Sequence, residues 1–178
     1  MKTAAAVKAH GSQISDVLQG CHREIIDHLD KLVALVSAQQ SATPTEECRS
    51  RAREIITFFC GPARAHNYDE EQHVFPVLRQ CGDAGIRQIA EDLCEDHAWI
   101  ELYWLDIEPQ LQAIADGVRP HQARDLRAAT ETFVATTRNH MRLEESLLFP
   151  ELRNRLTPAE LRSIERRMAA RIASAPAK

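Results

Sequence analysis

Apolar residues recur every three or four positions through most of the chain. Between Ser12 and about Gln40, Ile14, Leu18, Cys21, His22, Ile25, Leu29, Leu32 and Val36 fall on one face of an amphipathic helix. Nothing alternates with the period of two that a half-buried strand requires. "SATPTEE" then carries a start signal: Thr43 as N-cap, Pro44 at the first helical position and Glu46 closing a capping box. This second helix runs to about Gln80, with a break or bend expected near Gly61 and Pro62, since proline removes a helical hydrogen bond and clashes with the preceding turn. After the turn "CGDAG", a third helix spans about Ile86 to Asp116, with a kink at Pro109. "DGVRPHQ" leads into a fourth, from about Ala123 to Leu156, and "TPAE", Thr157 to Glu160, opens a short fifth. The pattern predicts an all-α fold: an up-down-up-down four-helix bundle over about 12–156 with a short C-terminal helix over about 158–173, in one domain covering 1–178.

Composition narrows the function classes. A net charge of -4 and a pI near 6.1 leave no electrostatic footprint for nucleic acid. The basic run "LRSIERRMAARIA" is interleaved with apolar residues at helical spacing and reads as a solvated helix face. No apolar run approaches the roughly 18 residues that span a bilayer, and "MKTAAAVKAHGSQ" is too polar for a signal-peptide core, so a cytoplasmic protein is expected. The five cysteines, Cys21, Cys48, Cys60, Cys81 and Cys94, include no CxxC and read as reduced thiols.

The chain also repeats itself. "HNYDEEQHVFP", His66 to Pro76, returns 74 residues later as "HMRLEESLLFP", His140 to Pro150. The match is wider than the motif: "CHREIIDHL" and "DHAWIELYWL" each put a His ahead of an apolar stripe, and His22 to His97 is an offset of 75 residues. Two helical hairpins therefore each carry one His and then HxxxEE. On a helix, residues four apart point the same way from consecutive turns, so His66 with Glu70, and His140 with Glu144, can each grip one ion. Distances along the chain from the shared turns place all four histidines at one depth of an antiparallel bundle.

A lone His on an apolar face is usually a satisfied core residue, and EE on a helix is usually a solvated edge. Four imidazoles and at least two carboxylates in one layer are different, because each buried unpaired carboxylate costs several kcal/mol and a cation removes that cost. The donors lack thiolate spacing and outnumber the four of a structural zinc site. Mixed imidazole and carboxylate suits iron, with manganese or zinc as alternatives. Carboxylates from two helices can bridge two ions.

"HREIIDHLDKL", "FFCGPARAHNYDEEQHVFPVL", "EDHAWIELYWLDIEPQL" and "RNHMRLEESLLFPEL" together resemble the hemerythrin-like family of HHE cation-binding domains over nearly the whole chain. The resemblance implies an oxo- or hydroxo-bridged, non-haem di-iron site. Its ligands would be His22, His66, Glu70, His97, His140 and Glu144, with Glu70 and Glu144 bridging. Where the oxygen carriers of the family have HxxxH in the third helix, this chain has His97 and Glu101. Glu101 is expected to ligate in the second histidine's place; its other reading is a boundary carboxylate paired with an Arg. Glu145 stands as an alternative to Glu144, and Glu71 to Glu70. His73 reads as a pocket-edge residue, and His10, His28 and His121 as bystanders. The expected partner is O2, peroxide or nitric oxide, in sensing, scavenging or redox chemistry. The other classes are iron storage without turnover and a structural bundle with a vestigial site.

Overall fold

The computed structural model describes residues 13–38, 43–120, 123–157, 159, 160, 162–164 and 166, and among them there is no strand. Helix α1 spans Gln13–Ala38. The second rod is composite: α2 (Glu46–Phe58), a π turn over Phe59–Ala63, α3 (Arg64–Asp69), a π turn over Glu70–Val74, and α4 (Phe75–Arg79). Helix α5 spans Ala84–Ala115. The last rod joins α6 (Ala123–Leu143) through a π turn over Glu144–Leu148 to α7 (Phe149–Arg155). Helix α1 packs on α2 and α6, and α5 packs on α2, α4 and α6, so the rods form a helical bundle.

The prolines act more gently than the sequence suggests. Pro62 does not break the second rod but sits within a π turn, and α5 runs on as α-helix through Pro109. A π turn absorbs one extra residue, which relieves the clash between a proline ring and the carbonyl of the preceding turn.

Two helix starts differ from expectation. Helix α2 begins at Glu46 with Thr45 as N-cap, its hydroxyl accepting from the Cys48 amide at 3.3 Å. Thr43 does not cap, and Glu46 closes no box, because its carboxylate is taken by Arg49 at 2.9 Å and Arg53 at 2.7 Å. Helix α5 starts at Ala84, two residues early, because Asp83 accepts from the Gly85 and Ile86 amides at 2.8 and 3.2 Å. It ends in a Schellman motif at Gly117, whose φ of 80° is open to glycine at little cost. After α7, Thr157 and Glu160 do form a reciprocal capping box. The residues described beyond it are helical, and the extension to about residue 173 lies outside the described residues.

The core is in two parts. One cluster holds Ile25, Leu29, Phe59, Ala63, Trp104 and Phe133 among others. The second holds Leu18, Val74, Phe75, Leu93, Leu148, Phe149 and Ile164. Along each rod the buried histidines and glutamates fall between members of the two clusters: His22 between Leu18 and Ile25, His66 and Glu70 between Ala63 and Val74, His97 between Leu93 and Trp104, and His140 and Glu144 between Phe133 and Leu148. A polar layer therefore divides two apolar ones.

Phe133 is 1% exposed, with its ring centroid 5.2 Å from that of Phe59 and 5.7 Å from that of Trp104. Phe133→Ala should cost about 3–5 kcal/mol of stability in urea unfolding, against about 0.5 kcal/mol for Trp99→Ala on the surface.

Candidate metal centre

The repeated HxxxEExxxFP explains itself locally. Pro76 and Pro150 lack the amide that would bond four residues back. In both copies the chain widens beforehand into a π turn that opens at the first glutamate of EE. The Phe75 amide donates to the Glu70 carbonyl, and the Phe149 amide to the Glu144 carbonyl, each five residues back. π turns of this kind gather at functional sites.

Six side chains converge in the polar layer. His22, His66, Glu70 and Glu144 place one donor atom each within 4.8 Å of one another, and so do Glu70, His97, His140 and Glu144. The two groups share both carboxylates. Glu70 turns Oε1 to His66 Nε2 at 3.2 Å and to His22 Nε2 at 3.8 Å, and Oε2 to His97 Nε2 at 3.4 Å. Glu144 turns Oε2 to His22 Nε2 at 3.4 Å and Oε1 to His140 Nε2 at 3.2 Å. Each carboxylate thus has one oxygen in each group, the disposition a bridge between two cations needs. Both glutamates are fully buried, and none of their four oxygens has a hydrogen-bond partner among the described residues. Buried carboxylate oxygens without donors are costly, and cations between them and the imidazoles remove the cost. The donor set fits a pair of metal ions.

The hemerythrin HHE cation-binding domain matches residues 13–152. The chain belongs to this family. Comparison with curated proteins gives no match. The HHE domain binds metal cations, and the two donor groups are where this one can hold them.

The second glutamate of each EE has a different task. Glu145 Oε1 accepts from His22 Nδ1 at 2.8 Å, and Glu71 Oε1 accepts from His97 Nδ1 at 2.8 Å. A proton fixed on Nδ1 leaves the Nε2 lone pair for a cation and sets the ring's orientation. The phenylalanine of each motif packs on the same histidine, Phe149 stacked on His22 at 5.4 Å and Phe75 tilted against His97 at 5.5 Å. Each motif of the HHE domain therefore supplies a His and a buried Glu to the donor groups, and clamps the lone His of the other hairpin. Glu71 and Glu145, weighed from sequence only as substitute ligands, are orienting groups. Asp96, 3.6 Å from His140 Nδ1, escaped the sequence reading because DH is too common a pair to signal anything. His66 Nδ1 is buried without a hydrogen-bond partner.

Glu101, the seventh expected ligand, is not brought to the cluster. Its Oε2 accepts from Arg64 Nε at 2.9 Å and its Oε1 from Arg64 Nη2, in a bidentate pair with the Glu101 side chain 44% exposed. His28 stacks on Phe58 at 3.6 Å and donates to the Glu24 carbonyl, away from the centre. His73 is half-buried and in neither donor group. His10 and His121 lie outside the described residues.

A cavity of about 30 Å³ adjoins the centre, lined by His66 and His140 together with apolar Phe59, Ile100, Phe133 and Met141. Since roughly 10–15 Å³ admits a water, this space admits a diatomic molecule.

Without metal, protons hold the charge of the layer. Burial alone would lower the His22 pKa, but the Glu144 and Glu70 carboxylates outweigh it and push it up to about 10. His140, also opposed by burial, is pushed up to about 10 by Glu144 and Asp96. It can then donate to His97 Nε2, 3.0 Å away. Burial keeps His66 below its ordinary range, and neighbouring His22 and His97 add to that. Glu70 is held well below the ordinary carboxylate range despite burial, by His66, His22 and His97.

A raised histidine pKa stabilises the fold fully below about 6.5, and that stabilisation is lost as pH rises toward about 10. A depressed Glu70 contributes above 4.5 and is lost as pH falls below it. The metal-free HHE domain should therefore show a falling thermal midpoint from pH 6.5 to 10; a flat profile would contradict these assignments. At pH 7, metal loading should release roughly two protons per chain, read by calorimetry in buffers of different ionisation enthalpy.

Proposed function

We propose that the protein is a non-haem di-iron protein that reacts with O2, peroxide or nitric oxide, built as a single-domain, up-down-up-down four-helix bundle. In this reading His22 and His66 hold one iron, His97 and His140 hold the other, and Glu70 and Glu144 bridge them. One observation carries it: two four-donor groups share two fully buried carboxylates that only imidazoles face among the described residues. Paired irons supply one- and two-electron redox chemistry and Lewis acidity to a small ligand. Each ion would be held by four donors of the chain, His22, His66, Glu70 and Glu144 for one and Glu70, His97, His140 and Glu144 for the other.

The chain's own residues support a small, poorly hydrated substrate. Phe59, Ile100, Phe133 and Met141 line the cavity with apolar surface beside His66 and His140. The Thr137 hydroxyl at the cavity donates to the Phe133 carbonyl at 2.8 Å, which occupies its proton within its own helix. Glu145 and Glu71 fix the rings of His22 and His97 and need not rearrange when a ligand arrives.

Anaerobic reconstitution with ferrous iron should yield close to two irons per chain, and O2, peroxide or nitric oxide should each be tested for new absorption in the visible range. His66→Ala and His140→Ala should each abolish the coupled site, while His28→Ala keeps it. Iron bound without spectral response to any of the three would point to storage or buffering. One tightly held zinc or manganese that iron cannot displace would remove the di-iron reading.

A further inference from the structure

Helix α5 offers the centre one more carboxylate than it uses. His97, Ile100, Glu101 and Trp104 stand at zero, three, four and seven residues along the helix, within about 60° of a single direction. His97 and Trp104 are buried along it, and Ile100 lines the cavity. Glu101 alone on this stripe ends at the surface, and the reason lies on the second rod. Arg64 opens α3 immediately after the π turn that contains Pro62, next to cavity-lining Ala63 and two residues before His66. Its guanidinium takes both Glu101 oxygens. The ion pair joins the second rod to α5, each partner one residue along from a cavity-lining neighbour, Ala63 or Ile100.

Stability does not account for this pair. Exposed ion pairs contribute about 0–1 kcal/mol, and both side chains here are more than 40% exposed. Its geometric effect is larger: an anionic donor one turn from a metal-binding histidine is fixed in a fork that matches both its oxygens.

We propose that Arg64 is a positioning residue that withholds Glu101 from the metal centre and keeps the cavity-facing coordination position free for an external ligand. The inference rests on the dinuclear reading above. Removing the guanidinium frees Glu101 to turn inward and occupy that position as a tethered seventh donor.

Cobalt(II) is a suitable probe, since its visible absorption weakens as coordination number rises, and azide reports an open position. Arg64→Ala loaded with cobalt should absorb less intensely than wild type and bind azide about tenfold more weakly, as a tethered competitor requires. Adding Glu101→Gln to Arg64→Ala should restore both signals, and Arg64→Lys should stay close to wild type. Arg64→Gln, which keeps more of the side-chain stem, repeats the test if Arg64→Ala folds poorly. Equal spectra and azide affinities for wild type, Arg64→Ala and the double variant would overturn the proposal while two cobalt ions per chain still support the dinuclear reading. A loss in Arg64→Ala that Glu101→Gln does not reverse would also overturn it. A wild-type chain that takes up no cobalt would overturn both.

Discussion

Two carboxylates in the middle of an apolar bundle are the constraint on which the rest depends. Glu70 and Glu144 are fully buried, and among the described residues only imidazoles lie within ion-pair distance of their oxygens. An interior of low dielectric does not tolerate such charges without compensation. Everything around them supplies it: a histidine from each rod, protons on His22 and His140 in the absence of metal, and a donor arrangement suited to two cations. The apolar clusters on either side keep water from solvating the carboxylates.

The internal repeat turns this burden into a mutual arrangement. Neither hairpin completes its own half. The motif at 66–76 orients His97 through Glu71 and Phe75, and the motif at 140–150 orients His22 through Glu145 and Phe149. The π turns at Glu70 and Glu144 belong to the same arrangement, since they fit the helix to the following proline where the buried carboxylate leaves it. Closing the bundle and closing the centre are thus one event.

Much of this was legible in the sequence because it follows from periodicity. The helices came from apolar spacing, four donors came from a motif written twice, and His22 and His97 came from the matching offset between the two hairpins. Glu101 was not legible, because the partner that captures it lies 37 residues away and Arg64 carries no mark in the sequence of where its guanidinium ends. The start of α2 was misplaced because Thr43 and Thr45 offer equivalent hydroxyls, and the arginines of the first turns decide between them by taking Glu46. The two glutamates of EE look alike as letters. Only the fold separates a fully buried Glu144 from a Glu145 that is 42% exposed and bonded to His22.

The four imidazoles are not equally stiff. His22 and His97 are held at three points each, by a carboxylate on Nδ1, a phenyl ring on one face and the central glutamates at Nε2. His66 has no hydrogen bond at Nδ1, and His140 has only Asp96 at 3.6 Å. These two looser rings are the ones that border the cavity. The centre therefore has a rigid flank and a compliant one, and the compliant flank faces the space a small guest would enter. A guest there would meet the two imidazoles without a carboxylate hydrogen bond at Nδ1, not the pair that Glu145 and Glu71 hold.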